Sequence, residues 1–260
     1  LAARDIDRVQ DVTSDDIEAF RRRLQNEGLS LGSQANILRI VRMFFRWLDA
    51  GGKVFANPAA SLVMPGRGRS PVIVPTEDEM QRLLAQPNTT GPIGIRDRAL
   101  IEIAYGCGLR RSELAGLSIQ DPDPEQGTLR VRGKGGKERI VPLGKQAVYW
   151  LDVYRKEARP KLCKDRLDEK KLWITEKRTP MQGSSIRQQV KYYVERAGIR
   201  TPMNLHSLRK ACATHMLARG AHPVQIQMLL GHASLRHLGR YLSVTIQEIK
   251  NTHSRSNPGL

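Results

Sequence analysis

The segment from Pro65 to Pro71 is the feature that most constrains how this chain can fold. It reads Pro-Gly-Arg-Gly-Arg-Ser-Pro and contains no apolar residue that continues a helical or strand pattern. Proline and glycine at this density interrupt regular structure, and such a composition is typical of a link between domains. The chain has 260 residues, which is more than one average core needs. We therefore predict two domains, residues 1–65 and 74–260, joined by a basic linker at 66–73.

The N-terminal part is predicted to be helical and to present a row of cations. Residues 13–28 and 33–50 each carry apolar side chains at helical spacing, and two glycines end the second helix. Another face of that helix carries Arg39, Arg42 and Arg46. Such a helix packs on its neighbours through the apolar stripe and turns its guanidinium groups towards a polyanion. The alternative is an ordinary solvated arginine face.

The C-terminal part is predicted to be mainly helical, with a small sheet inserted. Thr76 and Glu79 form the spacing of a capping box, and further helices are predicted at 95–105 and 110–117. Three short β-prone runs follow, separated by turn residues, at 118–119, 128–132 and 139–142. The fold class is therefore mainly α with a small three-stranded antiparallel sheet (α+β), and two lysines lie at the tip of its second hairpin.

Charge and cysteine content narrow the function classes. The chain has 43 Lys and Arg against 26 Asp and Glu, a net charge of +17, which is too basic for a typical metabolic enzyme. A hydrophobic content of 40% supports packed cores rather than a disordered basic tail. No apolar run reaches the roughly eighteen residues of a membrane span. The three cysteines are far apart and form no CxxC pair, which indicates buried thiols in a reducing cytoplasmic setting.

Four local patterns in the C-terminal part carry side chains that could act on a phosphate. They are an arginine at a glycine-marked helix start, a hairpin-tip lysine, an HxxR pair, and a Gly-His followed nine residues later by a tyrosine. The residues concerned are Arg110, Lys134, His206, Arg209, His232 and Tyr241. Taken singly, each pattern is more often structural: an HxxR pair on a helix is usually a surface feature, and an isolated tyrosine usually belongs to a core. Only the combination is informative.

In these patterns the sequence resembles the tyrosine recombinases of the phage-integrase and Xer type. The matching stretches are Tyr105–Leu114, Gly133–Leu143, HSLR at 206–209 and LGH at 230–232, and their order and separation also match. The resemblance extends from about Ser14 to the C-terminus. It implies a two-domain DNA clamp, in which a helical SAM-like core-binding domain precedes the catalytic domain. Relatives usually carry a further helix before residues 13–28, so part of the first domain is expected to be lacking.

The resemblance assigns two arginines to the scissile phosphate and a lysine to the leaving group. Arg110 and Arg209 would bind the phosphate oxygens, a task for which planar, permanently charged guanidinium groups are suited. Lys134 would act as the general acid that protonates the leaving 5′ oxygen. Lys137 is equally basic, and composition alone does not choose between the two lysines; the motif selects Lys134. Lys137 and Arg139 are predicted to contact DNA, with a solvated turn charge as the alternative for Lys137.

The remaining roles concern the nucleophile. Tyr241 would attack the phosphorus, His206 would assist in accepting its proton, and His232 would hydrogen-bond the phosphate. A phenol has a pKa near 10, so it needs the field of the arginines or a base before it attacks. A phosphotyrosine ester conserves the energy of the phosphodiester, so no ATP, metal or other cofactor is expected.

The resemblance also implies an assembly and leaves two other functions open. Four protomers, identical or shared with a paralogue, would exchange strands between two double-stranded DNA sites through a Holliday junction, with the segment after Tyr241 packed into a neighbouring protomer. The expected location is the cytoplasm, at the nucleoid. A type IB topoisomerase would use the same active-site chemistry without strand exchange. A DNA-binding accessory protein would hold a junction without cutting it.

Overall fold

A computed structural model of the chain describes residues 6–66, 73–164 and 169–231. The chain divides into two compact units, Leu1–Ser70 and Pro71–Leu260, and the division falls inside the predicted linker. Each unit has a hydrophobic core of its own. Within the described ranges, no helix is both long enough and apolar enough to cross a membrane.

The N-terminal unit is built on two helices, α1 (Ser14–Asn26) and α2 (Leu31–Ala50). A capping box opens α1: the side chains of Thr13 and Asp16 each accept a hydrogen bond from the other's backbone N–H. Both predicted helices are confirmed, and α2 begins earlier than expected because Ser30 caps it. The hydrophobic core of the unit is formed by Val12, Ile17, Leu24, Leu38, Phe45, Leu48, Val54, Ala59 and Leu62.

Helices dominate the C-terminal unit. In chain order they are α3 (Glu77–Leu84), α4 (Pro92–Gly106), α5 (Arg111–Gly116), α6 (Lys145–Val153), α7 (Arg159–Cys163), α8 (Gly183–Arg196), α9 (Leu205–Ala218) and α10 (Pro223–Leu230). The capping box predicted at Thr76 and Glu79 is confirmed at the start of α3. A π-helical turn, Tyr154–Ala158, continues α6 into α7.

Helix α4 is the centre of this unit, because most of its residues are buried and it packs against α6, α7 and α9. Its three buried charged residues are paired: Arg96 bonds to Asp97 at 2.7 Å and donates to the carbonyl of Ile174 at 2.8 Å, and Glu102 bonds to Arg98 at 2.9 Å. The hydroxyl of Tyr193 donates to the other oxygen of Asp97 at 2.9 Å. Because Tyr193 belongs to α8, this bond anchors α8 on the central helix.

The sheet has three antiparallel strands in the order β1 (Pro122–Asp123), β2 (Thr128–Arg132) and β3 (Glu138–Pro142). Side chains alternate across it, so Leu129, Val131 and Val141 lie buried against the helices. The mainly α fold with a small three-stranded antiparallel sheet is confirmed. Strands β2 and β3 lie where the sequence predicts them.

The predicted first strand at 118–119 is wrong. The N–H of Ser118 donates to the carboxylate of Asp121 at 2.7 Å, and the N–H of Ile119 donates to the carbonyl of Lys170 at 2.9 Å. This run therefore pairs, at a single bridge, with a segment about fifty residues further along the chain, where Ser118 opposes Lys171. The strand that joins β2 begins at Pro122 instead.

Candidate active site

The six residues predicted to act in catalysis differ in how much of them the structure describes. Arg110, His206 and Arg209 are described with their side chains, and Lys134 through its backbone. His232 and Tyr241 lie outside the described residues. The site is therefore built from α5, α9, the end of α10 and the hairpin between β2 and β3.

The turn between α4 and α5 brings Arg110 to the start of α5. Gly108 has a φ of +57°, in the left-handed region that favours glycine. A Cβ at this position would lie 2.5 Å from Cδ2 of Leu230, so the turn also packs closely on α10. Arg110 is the N-cap residue of α5, and its Nη2 donates to the carbonyl of Gly231 at 3.1 Å. The left-handed turn at Gly108 and its contact with α10 together fix the position of the Arg110 backbone.

Helix α9 positions His206 and Arg209. The side chain of Asn204 caps this helix by accepting from the N–H of His206 at 2.8 Å. Arg209 lies one turn further along the same face and is 2% exposed. Its Nη1 donates to the carbonyl of Gly108 at 2.6 Å, and its Nη2 donates to that of Leu230 at 2.6 Å. Arg209 thus ties α9 to the α4–α5 turn and to the end of α10.

Glu113, which the motif analysis did not single out, joins the arginines. Its carboxylate accepts from the backbone N–H of Arg110 at 2.8 Å and from Nη1 of the same residue at 2.7 Å. Both terminal nitrogens of Arg139 donate to it at 3.0 Å, and Nη1 of Arg209 lies 3.9 Å away. The spacing Arg-x-x-Glu at a predicted helix start, which is that of a capping residue at N3, is the signal that could have identified it.

The charge of Glu113 follows from these contacts. Burial alone would raise the pKa of the carboxyl, but the hydrogen bonds from Arg139 and Arg110 outweigh burial and lower the pKa to about 2. Glu113 is therefore ionised at neutral pH. A fixed negative charge with three guanidinium groups around it determines where those groups lie.

An open groove of about 760 Å³ exposes the site to solvent. It is lined by Arg110, His206 and Arg209, and also by Arg111 and by four residues of α8: Ser184, Arg187, Gln188 and Lys191. Partial desolvation, together with the positive charges of Lys210, Arg209 and Arg110, lowers the pKa of His206. The cations of α8 were not predicted; their four-residue spacing, which puts both on one helix face, is the available signal. The groove combines anion-binding donors with a neutral imidazole.

Arg139 does not lie where a DNA contact was expected. On β3 it alternates with the exposed Ile140 and faces the same side as the buried Val141. Its guanidinium binds Glu113, and its Nε donates to the carbonyl of Leu229 at 2.9 Å. The period of two in the strand directs this side chain inward, which argues against the predicted DNA contact.

The tip of the hairpin carries the two lysines, as the sequence predicts. Residues Lys134–Gly136 form a 3-10 turn. A hydrogen bond of 2.7 Å, from the N–H of Gly133 to the carbonyl of Lys137, closes this turn. Lys137 is exposed. Its contact with DNA and the acid role of Lys134 stay predictions.

The arginines of α2 are not equivalent. Arg39 and Arg46 are exposed, and Arg39 donates to the side-chain oxygen of Asn36 at 3.1 Å. Arg42 is half-buried, and its guanidinium donates to the carbonyl of Leu62. Arg42 therefore stabilises the N-terminal unit in this structure, which argues against its predicted contact with DNA. Arg39 and Arg46 stay predicted DNA contacts.

Comparison with known proteins gives one family. The sequence profile of the phage integrase family matches residues 74–248. "Tyrosine recombinase XerC 2" of Ralstonia nicotianae is 37% identical over 256 residues, which cover 95% of this chain and 73% of that protein. "Tyrosine recombinase XerD" of Proteus mirabilis is 38% identical over 251 residues, which cover 95% of this chain and 79% of that protein.

Solved structures agree with the sequence comparison at the level of the fold. The crystal structure of XerA recombinase has a TM-score of 0.64 and 27% identity, and the match covers 97% of this chain and 86% of that one. The post-cleavage complex of the XerH site-specific recombinase with its palindromic difH substrate has a TM-score of 0.80 and 21% identity. That match covers 97% of this chain and 74% of the XerH chain.

Proposed function

The chain belongs to the phage integrase family, and from this premise we propose that it is a tyrosine site-specific recombinase that cuts and rejoins DNA. The observation that carries the proposal is the groove of the C-terminal unit. There Arg110, Arg209 and His206 converge from α5 and α9, which are about a hundred residues apart in the chain. Two guanidinium groups beside an imidazole suit a phosphodiester whose charge redistributes during cleavage.

In the cleavage step a new bond forms between Oη of Tyr241 and the phosphorus, and the bond from phosphorus to the 5′ oxygen breaks. His206 is suited to accept the phenolic proton, because its lowered pKa keeps the imidazole neutral at pH 7. Lys134 gives a proton to the leaving 5′ oxygen, a role worth about 10²–10⁴-fold in rate. The products are a 3′-phosphotyrosine and a free 5′ hydroxyl.

Arg110 and Arg209 stabilise the charge that develops on the non-bridging oxygens, and His232 adds a hydrogen bond. Removing one preorganised donor of this type costs about 10²–10³-fold in rate. Rejoining reverses the step with the 5′ hydroxyl of the partner strand as nucleophile. The ester conserves the energy of the phosphodiester, so the reaction needs no ATP, metal or other cofactor.

DNA binding is distributed over both units. The net charge of +17 supplies the general attraction to a polyanion. Arg187 and Lys191 continue the positive surface from the groove along α8, and Lys137 adds a charge beside the hairpin tip. Arg39 and Arg46 present a second basic surface on α2. We propose that both units bind one duplex, and that four protomers on two sites exchange strands through a Holliday junction, in the cytoplasm.

Trapping the covalent intermediate tests the proposal. The probe is a pool of DNA duplexes of randomised sequence, each with a nick, because cleavage next to a nick releases a short 5′-hydroxyl fragment and leaves the adduct unable to rejoin. We expect the chain to retain DNA under denaturing conditions, and sequencing of that DNA yields the recognised site.

Tyr241→Phe is the matched variant, because it removes only the hydroxyl. DNA binding is expected to persist while the adduct disappears. An adduct that survives this substitution identifies another nucleophile. A complete chain that binds the pool but forms no adduct matches the accessory protein, and relaxation of supercoiled circles without strand exchange matches the topoisomerase.

A further inference from the structure

Arg139 contacts three parts of the candidate active site at once. It belongs to β3, it forms a two-fold hydrogen bond with Glu113 on α5, and it donates from Nε to the carbonyl of Leu229 on α10. Its side chain is 15% exposed, and each of its three guanidinium nitrogens has an acceptor inside the protein. The guanidinium of Arg139 therefore holds α5 and α10 against β3.

The end of α10 is held by an arginine at each of three successive carbonyl groups. Arg139 binds that of Leu229 at 2.9 Å, Arg209 binds that of Leu230 at 2.6 Å, and Arg110 binds that of Gly231 at 3.1 Å. These carbonyls lack partners within the helix, and they form the negative end of its dipole. The two other arginines of this set are the ones assigned to the scissile phosphate.

The backbone of Gly231 lies directly against Arg139. Gly231 ends α10 with a φ of +62°, and a Cβ there would lie 3.2 Å from Cδ, Nε and Nη1 of Arg139. The left-handed turn and this close approach both require glycine. Since His232 follows immediately in the sequence, Arg139 is packed against the residue from which the rest of the site continues.

We propose that Arg139 is a positioning residue for DNA cleavage, which holds Glu113 and the last turn of α10 in the arrangement that directs Arg110 and Arg209 towards the groove. The inference rests on the proposed recombinase function. When DNA binds, Arg110 and Arg209 have to direct N–H donors to phosphate oxygens. Arg139 has no such task, so it keeps α5, β3 and α10 together while its neighbours bind DNA.

Arg132 provides the matched control. It lies on β2, opposite Glu138, and pairs with that residue at 2.8 Å on the solvent side of the same hairpin. Its side chain is 54% exposed. Arg132→Gln therefore removes one positive charge from the same hairpin, one position nearer its tip than Arg139, without touching Glu113.

The experiment uses the duplex recovered from the randomised pool as its probe. Wild type, Arg139→Gln, Arg139→Lys and Arg132→Gln are compared in DNA affinity, in the salt dependence of that affinity, and in single-turnover adduct formation at saturating DNA. We expect Arg139→Gln to match Arg132→Gln in affinity and salt slope but to form the adduct about 10–100-fold more slowly, less than the full loss of a donor. Arg139→Lys keeps the charge without the planar fork and should fall between.

Two outcomes would overturn the assignment. If the salt slope falls by about 0.9 more for Arg139→Gln than for Arg132→Gln, Arg139 contacts a phosphate. If the two variants form the adduct equally fast, Arg139 has no role in cleavage. Rates are measured well below the unfolding temperature of every variant, and Arg139→Lys carries the test alone where Arg139→Gln fails to fold.

A duplex with sulfur in place of the bridging 5′ oxygen shows which group Arg139 positions. A thiolate is a far better leaving group than an alkoxide, so the sulfur substrate needs no general acid. A deficit that persists with sulfur lies at Glu113 and the arginines, as proposed. Rescue by sulfur would mean that Arg139 acts through Lys134, which contradicts the proposal.

Failure of this inference differs from failure of the proposed function. Absence of an adduct with the wild-type chain contradicts the proposed function. Rapid cleavage by both wild type and Arg139→Gln contradicts only the role of Arg139.

Discussion

The carboxylate of Glu113 bonds to two arginines and lies near a third, so the arrangement of the site depends on this one residue. Arg110, Arg139 and Arg209 converge on Glu113, and the side chain of Arg209 is only 3% exposed. Like charges so close together repel strongly when water is excluded. A charged carboxylate among them offsets that repulsion, and its removal leaves the repulsion uncompensated.

Replacement of Glu113 by glutamine should change the acid response of the C-terminal unit. The pKa of Glu113 in the folded chain is about 2, against an ordinary value of 4.5, so the folded state binds this proton less readily than the unfolded state. The group therefore contributes stability above pH 4.5, and that contribution is lost as the pH falls towards 2. We expect Glu113→Gln to be less stable at pH 7, by on the order of 2–4 kcal/mol, and to lose less on acidification.

Unfolding followed by the fluorescence of Trp150 and Trp173, both in the C-terminal unit, measures this effect between pH 2 and 7. Glu138→Gln, which changes an exposed carboxylate on β3, is the control. An acid response of Glu113→Gln as steep as that of the wild type would show that Glu113 is not the titrating group.

At the scale of the elements, the α4–α5 turn and α10 form one packed contact. Gly108 has a positive φ, and its Cα faces Leu230 at a distance that leaves no room for a Cβ. Arg209 bonds to the carbonyls of both residues. The position of the turn therefore affects the position of the Arg209 guanidinium, because a shift of the turn also moves the carbonyl of Gly108.

Gly108→Ala is expected to destabilise the C-terminal unit by about 1–3 kcal/mol, because it combines left-handed strain with overpacking against Leu230. It should also slow adduct formation, since Arg110 follows two residues later. Gly116→Ala, at the end of α5, is the control: no atom lies within 4 Å of its added Cβ, and it is expected to be neutral or stabilising. Equal thermal unfolding of the two variants would contradict the close packing of the turn.

Helix α2 shows that residues on one helix face can differ in role. We expect Arg39→Ala combined with Arg46→Ala to weaken DNA binding and to reduce the salt slope by up to about 1.8, since each phosphate contact contributes about 0.9. Arg42→Ala should instead lower the unfolding temperature of the N-terminal unit and leave the slope unchanged. A double variant with wild-type affinity and slope would assign this face to solvent.

At the scale of the whole molecule, the proposed exchange of strands between two sites would require coordination between protomers as well as a complete site. The tail after Tyr241 carries apolar residues, including Leu242, Val244, Ile246 and Ile249, and its stretch 245–250 is too short to fold alone. This tail lies outside the described residues, and its docking into a neighbouring protomer stays a prediction from the family resemblance.

Truncation after Val244 is expected to leave binding to a single site largely intact, while assembly of the two-site complex is impaired and recombination is deregulated or abolished. Single-site binding, synapsis and strand exchange of the truncated and complete chains are the measurements. Normal synapsis and strand exchange without the tail would show that it does not link protomers.

The sequence alone was sufficient where the interactions that decide a structure are local. The capping box at Thr76 and Glu79 acts within one helical turn, and glycines with lysines between two β-prone runs specify the β2–β3 hairpin. Helices α1 and α2 and strands β2 and β3 follow from such patterns. The family and the motif residues were also accessible, because motif spacing is a property of the chain itself.

Only the tertiary structure decided where the arginines point. Arg139 bonds to a carbonyl 90 residues away, and Arg42 to one 20 residues away. The first strand was misplaced for the same reason, since Ser118 pairs with Lys171. A guanidinium or a backbone N–H binds whichever acceptor the fold brings near, and in a buried site it must find one. Which acceptor that is depends on contacts between distant segments, which no local pattern encodes.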